Sequence, residues 1–230
     1  MAGRLIGVAR AAYQYPLLIK QLLHKPMVQN LDQQIVYRNV KRLTYADLRD
    51  RIGRLANCLK MIGVRPGDTV GVMDWDSNRF LEAFFAVPMM GAILQTVNVR
   101  LSLEQITHTI NHAGPSVLLV NDEFIELLQG IRPQLTTVRT FVVLTDRSEP
   151  SKGDIEFAGE YEELLAAAST GYDFPDFDEN TQATTFYTTG TTGLPKGVYF
   201  SHRQLVLHTL AGLAAFGSAP ELVRFHRDDV

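Results

Sequence analysis

Apolar residues fall along the chain in two alternating patterns: short unbroken runs, and stripes spaced three and four residues apart. The clearest stripe is Tyr45, Leu48, Ile52, Leu55, Leu59 and Ile62, one face of a helix that Thr44 and Asp47 are placed to cap and Gly63 to end. Pro66, Gly67 and Asp68 then turn the chain into Thr69 to Trp75. That run does not alternate with polar residues, which predicts a strand covered on both faces of a parallel sheet. The grammar repeats with a helix over 78–90 despite Pro88, and a strand from Ala92 to Val97. A Ser102 and Gln105 capping box opens a further helix that stops near Gly114 and Pro115, and Val117 to Val120 is the next strand. Asp122 is expected to cap a helix reaching about Gly130, and Val138 to Leu144 closes the series as a β-branched and aromatic strand. Upstream, Gln34 to Arg38 reads as a strand entering a turn at Asn39, Val40 and Lys41.

Helices alternating with buried strands predict an α/β body with a mostly parallel sheet and flanking helices. Between residues 145 and 180 the regularity lapses, interrupted by Ser148, Pro150, Gly153, Gly171 and Pro175, so this stretch reads as a surface excursion with one short helix near Tyr161 to Ala168. Its acidic end, Asp173, Asp176, Asp178 and Glu179, reads as a solvated linker rather than a metal site. Strand-like runs return at Ala183 to Tyr187 and Val198 to Phe200. Ser201 with Gln204 then forms a capping box for a helix to about Phe216.

Composition narrows the function without naming it. The chain has 230 residues, 46% apolar, with a formal net charge of -3, the balance of a folded protein with no global attraction to nucleic acid. Cys58 is the single cysteine, which excludes an intramolecular disulfide and a cysteine zinc cluster and favours a cytoplasmic, reducing setting. No apolar run approaches the roughly 18 residues of a membrane span. Residues 1–31 carry Arg4, Arg10, Lys20 and Lys25 and no acid. This N-terminal arm is expected to dock onto the rest of the chain. A membrane-surface contact and a targeting segment are the competing readings.

Chemistry is concentrated in residues 187–198, Tyr-Thr-Thr-Gly-Thr-Thr-Gly-Leu-Pro-Lys-Gly-Val. Gly190, Gly193 and Gly197 let successive N–H groups converge on an anion, and the hydroxyls of Thr188, Thr189, Thr191 and Thr192 offer donors or Mg²⁺ ligands. Lys196 adds a charge. Lys196 stands between Pro195 and Gly197, so the pattern is not a Walker A loop, which needs glycine before and serine or threonine after its lysine. The alternative, a glycine-rich hairpin with ordinary surface threonines, would suffice for four or five such residues, and twelve in succession favour the phosphate reading over it.

With Phe200, Ser201, His202 and Arg203 behind it, this stretch resembles the phosphate signature of the AMP-forming acyl-adenylating superfamily, in particular its fatty acyl-CoA synthetase branch. Residues 80–92, Phe-Leu-Glu-Ala-Phe-Phe-Ala-Val-Pro-Met-Met-Gly-Ala, and 98–102, Asn-Val-Arg-Leu-Ser, extend the likeness. The resemblance implies that residues 32–230 are the N-terminal part of an adenylate-forming large domain, truncated at its C-terminal end and inactive alone. It implies ATP, Mg²⁺ and coenzyme A as reactants or cofactors and a medium- or long-chain fatty acid as substrate. Aryl and short-chain acid:CoA ligases, and a non-catalytic nucleotide-binding module, are the alternatives, and a homodimer is a candidate assembly. Carried onto this sequence, the resemblance assigns Thr188 to magnesium, Thr189, Gly190, Thr191, Thr192 and Gly193 to the phosphate cradle, and Lys196 to its charge, and it supplies no catalytic residue within the chain.

Other residues are weighed against blander roles. His108 and His112 have the spacing of a metal pair but lack the glutamate at 109 that a zincin needs, and no third ligand is evident, so they read as structural or solvated. His202 reads as structural, just behind the loop. Cys58 reads as an inert helix residue, and Trp75, at a strand end, as packing.

Overall fold

The computed structural model describes Arg4, residues 6–188 and residues 193–217, Phe216 and Gly217 by backbone alone. A turn of 3-10 helix at Ile19–Leu23 leads through α1 (His24–Gln29) to a hairpin of β1 (Gln34–Tyr37) and β2 (Lys41–Thr44), a two-stranded antiparallel unit of its own. The body then follows as α2 (Tyr45–Met61), β3 (Thr69–Met73), α3 (Asn78–Met89), β4 (Ile93–Thr96), α4 (Leu103–Ala113), β5 (Val117–Asn121), α5 (Ile125–Ile131), β6 (Thr140–Leu144), α6 (Tyr161–Ala167), β7 (Gln182–Thr188), β8 (Lys196–Ser201) and α7 (His202–Gly217). Six strands form one sheet in the order β6-β5-β3-β4-β7-β8, with every pairing parallel except the last. The chain is therefore the α/β protein with a mostly parallel sheet that its hydrophobic runs predict.

Every residue of β3 and β5 is buried, as strands sandwiched between two helical layers require. Alternate side chains divide between two cores. Val70, Val72, Val117, Leu119, Val142 and Leu144 pack with α2, α3 and α6, whereas Met73, Leu118, Val120 and Phe141 pack with Ile106 and Ile110 of α4 and with α5. All three predicted capping boxes form, that of Ser201 and Gln204 at α7 included. Thr44 and Asp47 cap each other reciprocally at α2, as do Ser102 and Gln105 at α4, each satisfying backbone donors that the first turn leaves open.

Two expectations are corrected. The segment Lys41–Thr44 is a strand rather than only a turn and a cap; with Leu43 its one apolar residue, it carries almost no periodic signal. The turn after β5 is capped by Asn121, whose side chain accepts the Glu123 N–H, and opens as a 3-10 turn, Asp122–Phe124, before α5. Asp122 instead accepts the Thr145 hydroxyl at 2.8 Å and ties the ends of β5 and β6 together.

A buried charge network joins α2, α3 and α6. Glu82 is fully buried and accepts from Arg51 Nε at 2.7 Å, from the Tyr161 hydroxyl at 2.6 Å and from Asn78 at 2.9 Å. The same Arg51 reaches Glu162 at 2.7 Å through both terminal nitrogens. Burial opposes ionisation of Glu162, yet the Arg51 guanidinium outweighs it and holds the carboxyl below its usual range. Removing Arg51 would leave Glu82 with no counterion in a dry site, so we expect Arg51→Ala to cost about 3–5 kcal/mol in urea unfolding. The triple replacement Arg51→Met, Glu82→Leu and Tyr161→Phe, which also removes the buried hydroxyl that Glu82 accepts from, should recover most of that loss, and equal destabilisation by the single and triple variants would show that the network adds nothing through charge.

Candidate functional site

Because β7 runs parallel to β4, its last residue, Thr188, emerges at the carboxyl edge of the sheet, together with Met73, Thr96, Asn121 and Leu144. Open α/β sheets bind ligands outside that edge, where loops leave the strands. Strand β8 returns antiparallel in a register that sets Thr188 opposite Lys196. Both are exposed, and among the described residues Lys196 makes no ion pair. Gly193 has φ +107, a backbone conformation that side-chain-bearing residues rarely adopt, and Pro195 is buried and anchors the turn. A free cation, an exposed hydroxyl and a glycine at positive φ form a donor set suited to an anion. Thr189, Gly190, Thr191 and Thr192, the middle of the expected cradle, lie outside the described residues.

The root of the hairpin is held by the N-terminal arm. Leu18 and Ile19 are buried, and Ile19 joins the core beside α3 and α7. The Leu17 N–H donates to Glu179 at 2.7 Å, the Ile19 N–H donates to Nδ1 of His202 at 3.2 Å, and Lys20 pairs with Asp176 at 2.8 Å. Glu179 also pairs with Arg203 in the first turn of α7. The acidic run is thus more than a solvated linker: Asp176 and Glu179 are anchors for the arm, and both carboxyls are held below their usual range, Asp176 by Lys20 and Glu179 by the Leu17 N–H and Arg203.

His202 is fully buried, edge-on to Phe177 with ring centroids 4.9 Å apart. Accepting at Nδ1 requires the neutral tautomer with its proton on Nε2. Among the described residues no hydrogen-bond partner reaches Nε2, and burial, offset only in part by the Pro88 backbone, pushes the imidazole down to about 4. The other candidates keep structural roles. Cys58 is buried, donates to the Leu164 carbonyl and has its thiol pushed up to about 11 by burial, far from a reactive thiolate. Trp75 packs on Phe124 and donates from its indole to Glu123 at 2.8 Å, while Arg100 lies 5.9 Å over its ring. Trp75 and Arg100 border a cavity of about 330 Å³ at the carboxyl ends of β3 and β4, lined also by Asp74, Thr96 and Asn98. His108 and His112 neighbour each other, and His112 is hydrogen-bonded to Tyr187, a contact that spacing within one helix does not reveal.

The sheet, parallel in every pairing but the last and flanked by helices, places the chain among open α/β proteins. It belongs to the AMP-binding enzyme family, whose model matches residues 24–230. It is 37% identical over 198 residues to a 3-methylmercaptopropionyl-CoA ligase of Ruegeria pomeroyi, covering 84% of this chain and 37% of that protein. It is 43% identical over 180 residues to a long-chain-fatty-acid–CoA ligase of Thermus thermophilus, covering 78% and 32%. The chain therefore spans about a third of the length of these relatives. Among solved structures, a protein of Rhodopseudomonas palustris named a putative long-chain-fatty-acid CoA ligase superposes with TM-score 0.74 at 26% identity, over 88% of this chain and 49% of that one. An anthranilate CoA ligase in complex with anthranoyl-AMP shares the fold, with TM-score 0.77 at 23% identity over 86% and 38%.

The burial of His202 has a consequence in acid. An unfolded histidine takes up its proton near pH 6.5 while the folded one resists to about 4, so the unfolded state binds more protons between those values. The stability from this residue is complete above pH 6.5 and falls as pH drops toward 4, by roughly 3 kcal/mol in all. His202→Asn, whose Oδ1 can accept the Ile19 N–H in place of Nδ1 but which does not titrate, should lose less over the same window. Parallel pH–stability curves for the two proteins would contradict the assignment.

Proposed function

We propose that the protein carrying this chain is an ATP-dependent acid:CoA ligase that activates a medium- or long-chain fatty acid through an acyl-adenylate. The observation that carries the reading is the Thr188 and Lys196 hairpin, with its unpaired cation, at the carboxyl edge of the parallel sheet. Family membership and the ligase names of the relatives support it. Among those relatives, the long-chain ligase of Thermus thermophilus and a medium-chain-fatty-acid–CoA ligase of Ectopseudomonas oleovorans, 36% identical over 171 residues, support the choice of acid.

In such a reaction a carboxylate oxygen attacks the α-phosphorus of ATP, and the bond to pyrophosphate breaks. The thiolate of coenzyme A then attacks the acyl carbonyl and AMP leaves. Negative charge accumulates on the departing pyrophosphate in the first step. Lys196 and Thr188, held opposite each other by the paired strands, meet that charge without reorganising. Thr188 offers an exposed hydroxyl beside that cation, and we assign it to Mg²⁺, which when bound would neutralise phosphate charge. Residues 189–193 supply the cradle.

The test is acid-dependent exchange of labelled pyrophosphate into ATP across medium- and long-chain fatty acids, short-chain acids, aryl acids and 3-methylmercaptopropionate. We expect the fatty acids to give the highest kcat/KM, and Lys196→Ala to lower adenylate formation by about 1–3 kcal/mol of transition-state stabilisation. Highest exchange with an aryl or short-chain acid would reassign the substrate. An unchanged rate in the variant would remove Lys196 from the mechanism, and no exchange with any acid would leave a nucleotide-binding module.

A further inference from the structure

We propose that His112 is a positioning residue that braces the hairpin carrying the phosphate-binding segment, acting through Tyr187; the inference rests on the phosphate reading of that segment. Strand β7 pairs with β4 only at Thr184 and Thr185, so Phe186, Tyr187 and Thr188 project past the sheet with β8 as their one strand partner. A two-stranded ribbon of that kind is marginally stable on its own, and its direction is weakly fixed. Among the described residues, the one side-chain hydrogen bond that ties residues 186–200 to another element joins His112 Nδ1 to the Tyr187 hydroxyl, at 2.8 Å.

The contact is built from both sides. Ile106 and Ile110 bury one face of α4 in the core, which leaves His108 and His112 stacked a turn apart on another, with ring centroids 5.8 Å apart. The His112 ring meets Tyr187 edge-on at 84°, centroids 5.7 Å apart. Across the ribbon Tyr187 faces Gly197, and a Cβ there would stand 2.9 Å from the Tyr199 hydroxyl and 3.5 Å from Cε1 of His112. The missing side chain of Gly197 is the space in which the two rings close over the backbone. Tyr187 directly precedes Thr188, and Gly197 directly follows Lys196. Holding Tyr187 therefore fixes both strands at the point where the proposed phosphate ligands leave them.

The experiment compares His112→Phe, Tyr187→Phe, their double variant and His112→Asn in pyrophosphate exchange, with hydrogen exchange of the hairpin amides as a second readout. His112→Phe keeps a ring and loses the hydrogen bond, whereas His112→Asn keeps a polar side-chain nitrogen on a short stem. We expect each Phe variant to raise KM for ATP about three- to tenfold with kcat within about twofold, and the double variant to be no worse than the poorer single. His112→Asn should restore KM to within about twofold of wild type, and amide exchange at 186–188 and 196–198 should quicken in both Phe variants and not in His112→Asn. Additive effects, a fall in kcat without a change in KM, or unchanged exchange of those amides would overturn the brace. Absence of exchange activity in the whole wild-type protein that carries this chain would instead sink the ligase reading, and the amide protection would then decide the brace alone.

Discussion

A parallel ladder of five strands has to be covered on both faces, and most of this structure answers that requirement. Helices α2, α3 and α6 close one face and α4 and α5 the other, leaving the strand ends as the places where polar chemistry can meet solvent. Parallel pairing also brings the carboxyl ends of β3, β4, β5, β6 and β7 to one edge, so loops from distant parts of the sequence converge there. The proposed phosphate hairpin and the Trp75 cavity both lie on that edge as a consequence of topology.

Where apolar burial does not suffice, charge does the joining. Glu82, Arg51, Glu162 and Tyr161 bind the irregular stretch after β6 to α2 and α3. Arg79 reaches Asp146 at 2.5 Å, and Tyr37 reaches the same carboxylate at 3.1 Å, which ties the small β1–β2 unit to the end of β6. A buried ion pair of this sort adds little net energy over apolar packing, but a misplaced partner is costly, so it penalises alternative placements of the excursion.

The same logic runs through the functional end of the chain. His202 follows the last residue of β8 and accepts a backbone N–H from the arm, so the root of the hairpin is built partly by residues more than 180 positions away. Its far end is held by a histidine of α4. Loop chemistry of this kind needs donors held in place before the anion arrives, and a ribbon projecting beyond its sheet supplies that only if something grips it.

Alternating runs and stripes determined the α/β class, nearly every helix and strand and the three capping boxes, because these depend on side chains close together in sequence. The strand Lys41–Thr44 escaped, since one apolar residue in four carries no period, and Asn121 and Asp122 exchanged roles because adjacent cap candidates are separated only by which one a neighbouring strand recruits. Strand order, the anchoring role of Asp176 and Glu179, and the pairing of His112 with Tyr187 were decided by tertiary structure alone. A pair of histidines four apart looks the same in sequence whether it awaits a metal or a phenol. The partner lies 75 residues away, and only the folding of β7 against β4 brings it within 2.8 Å.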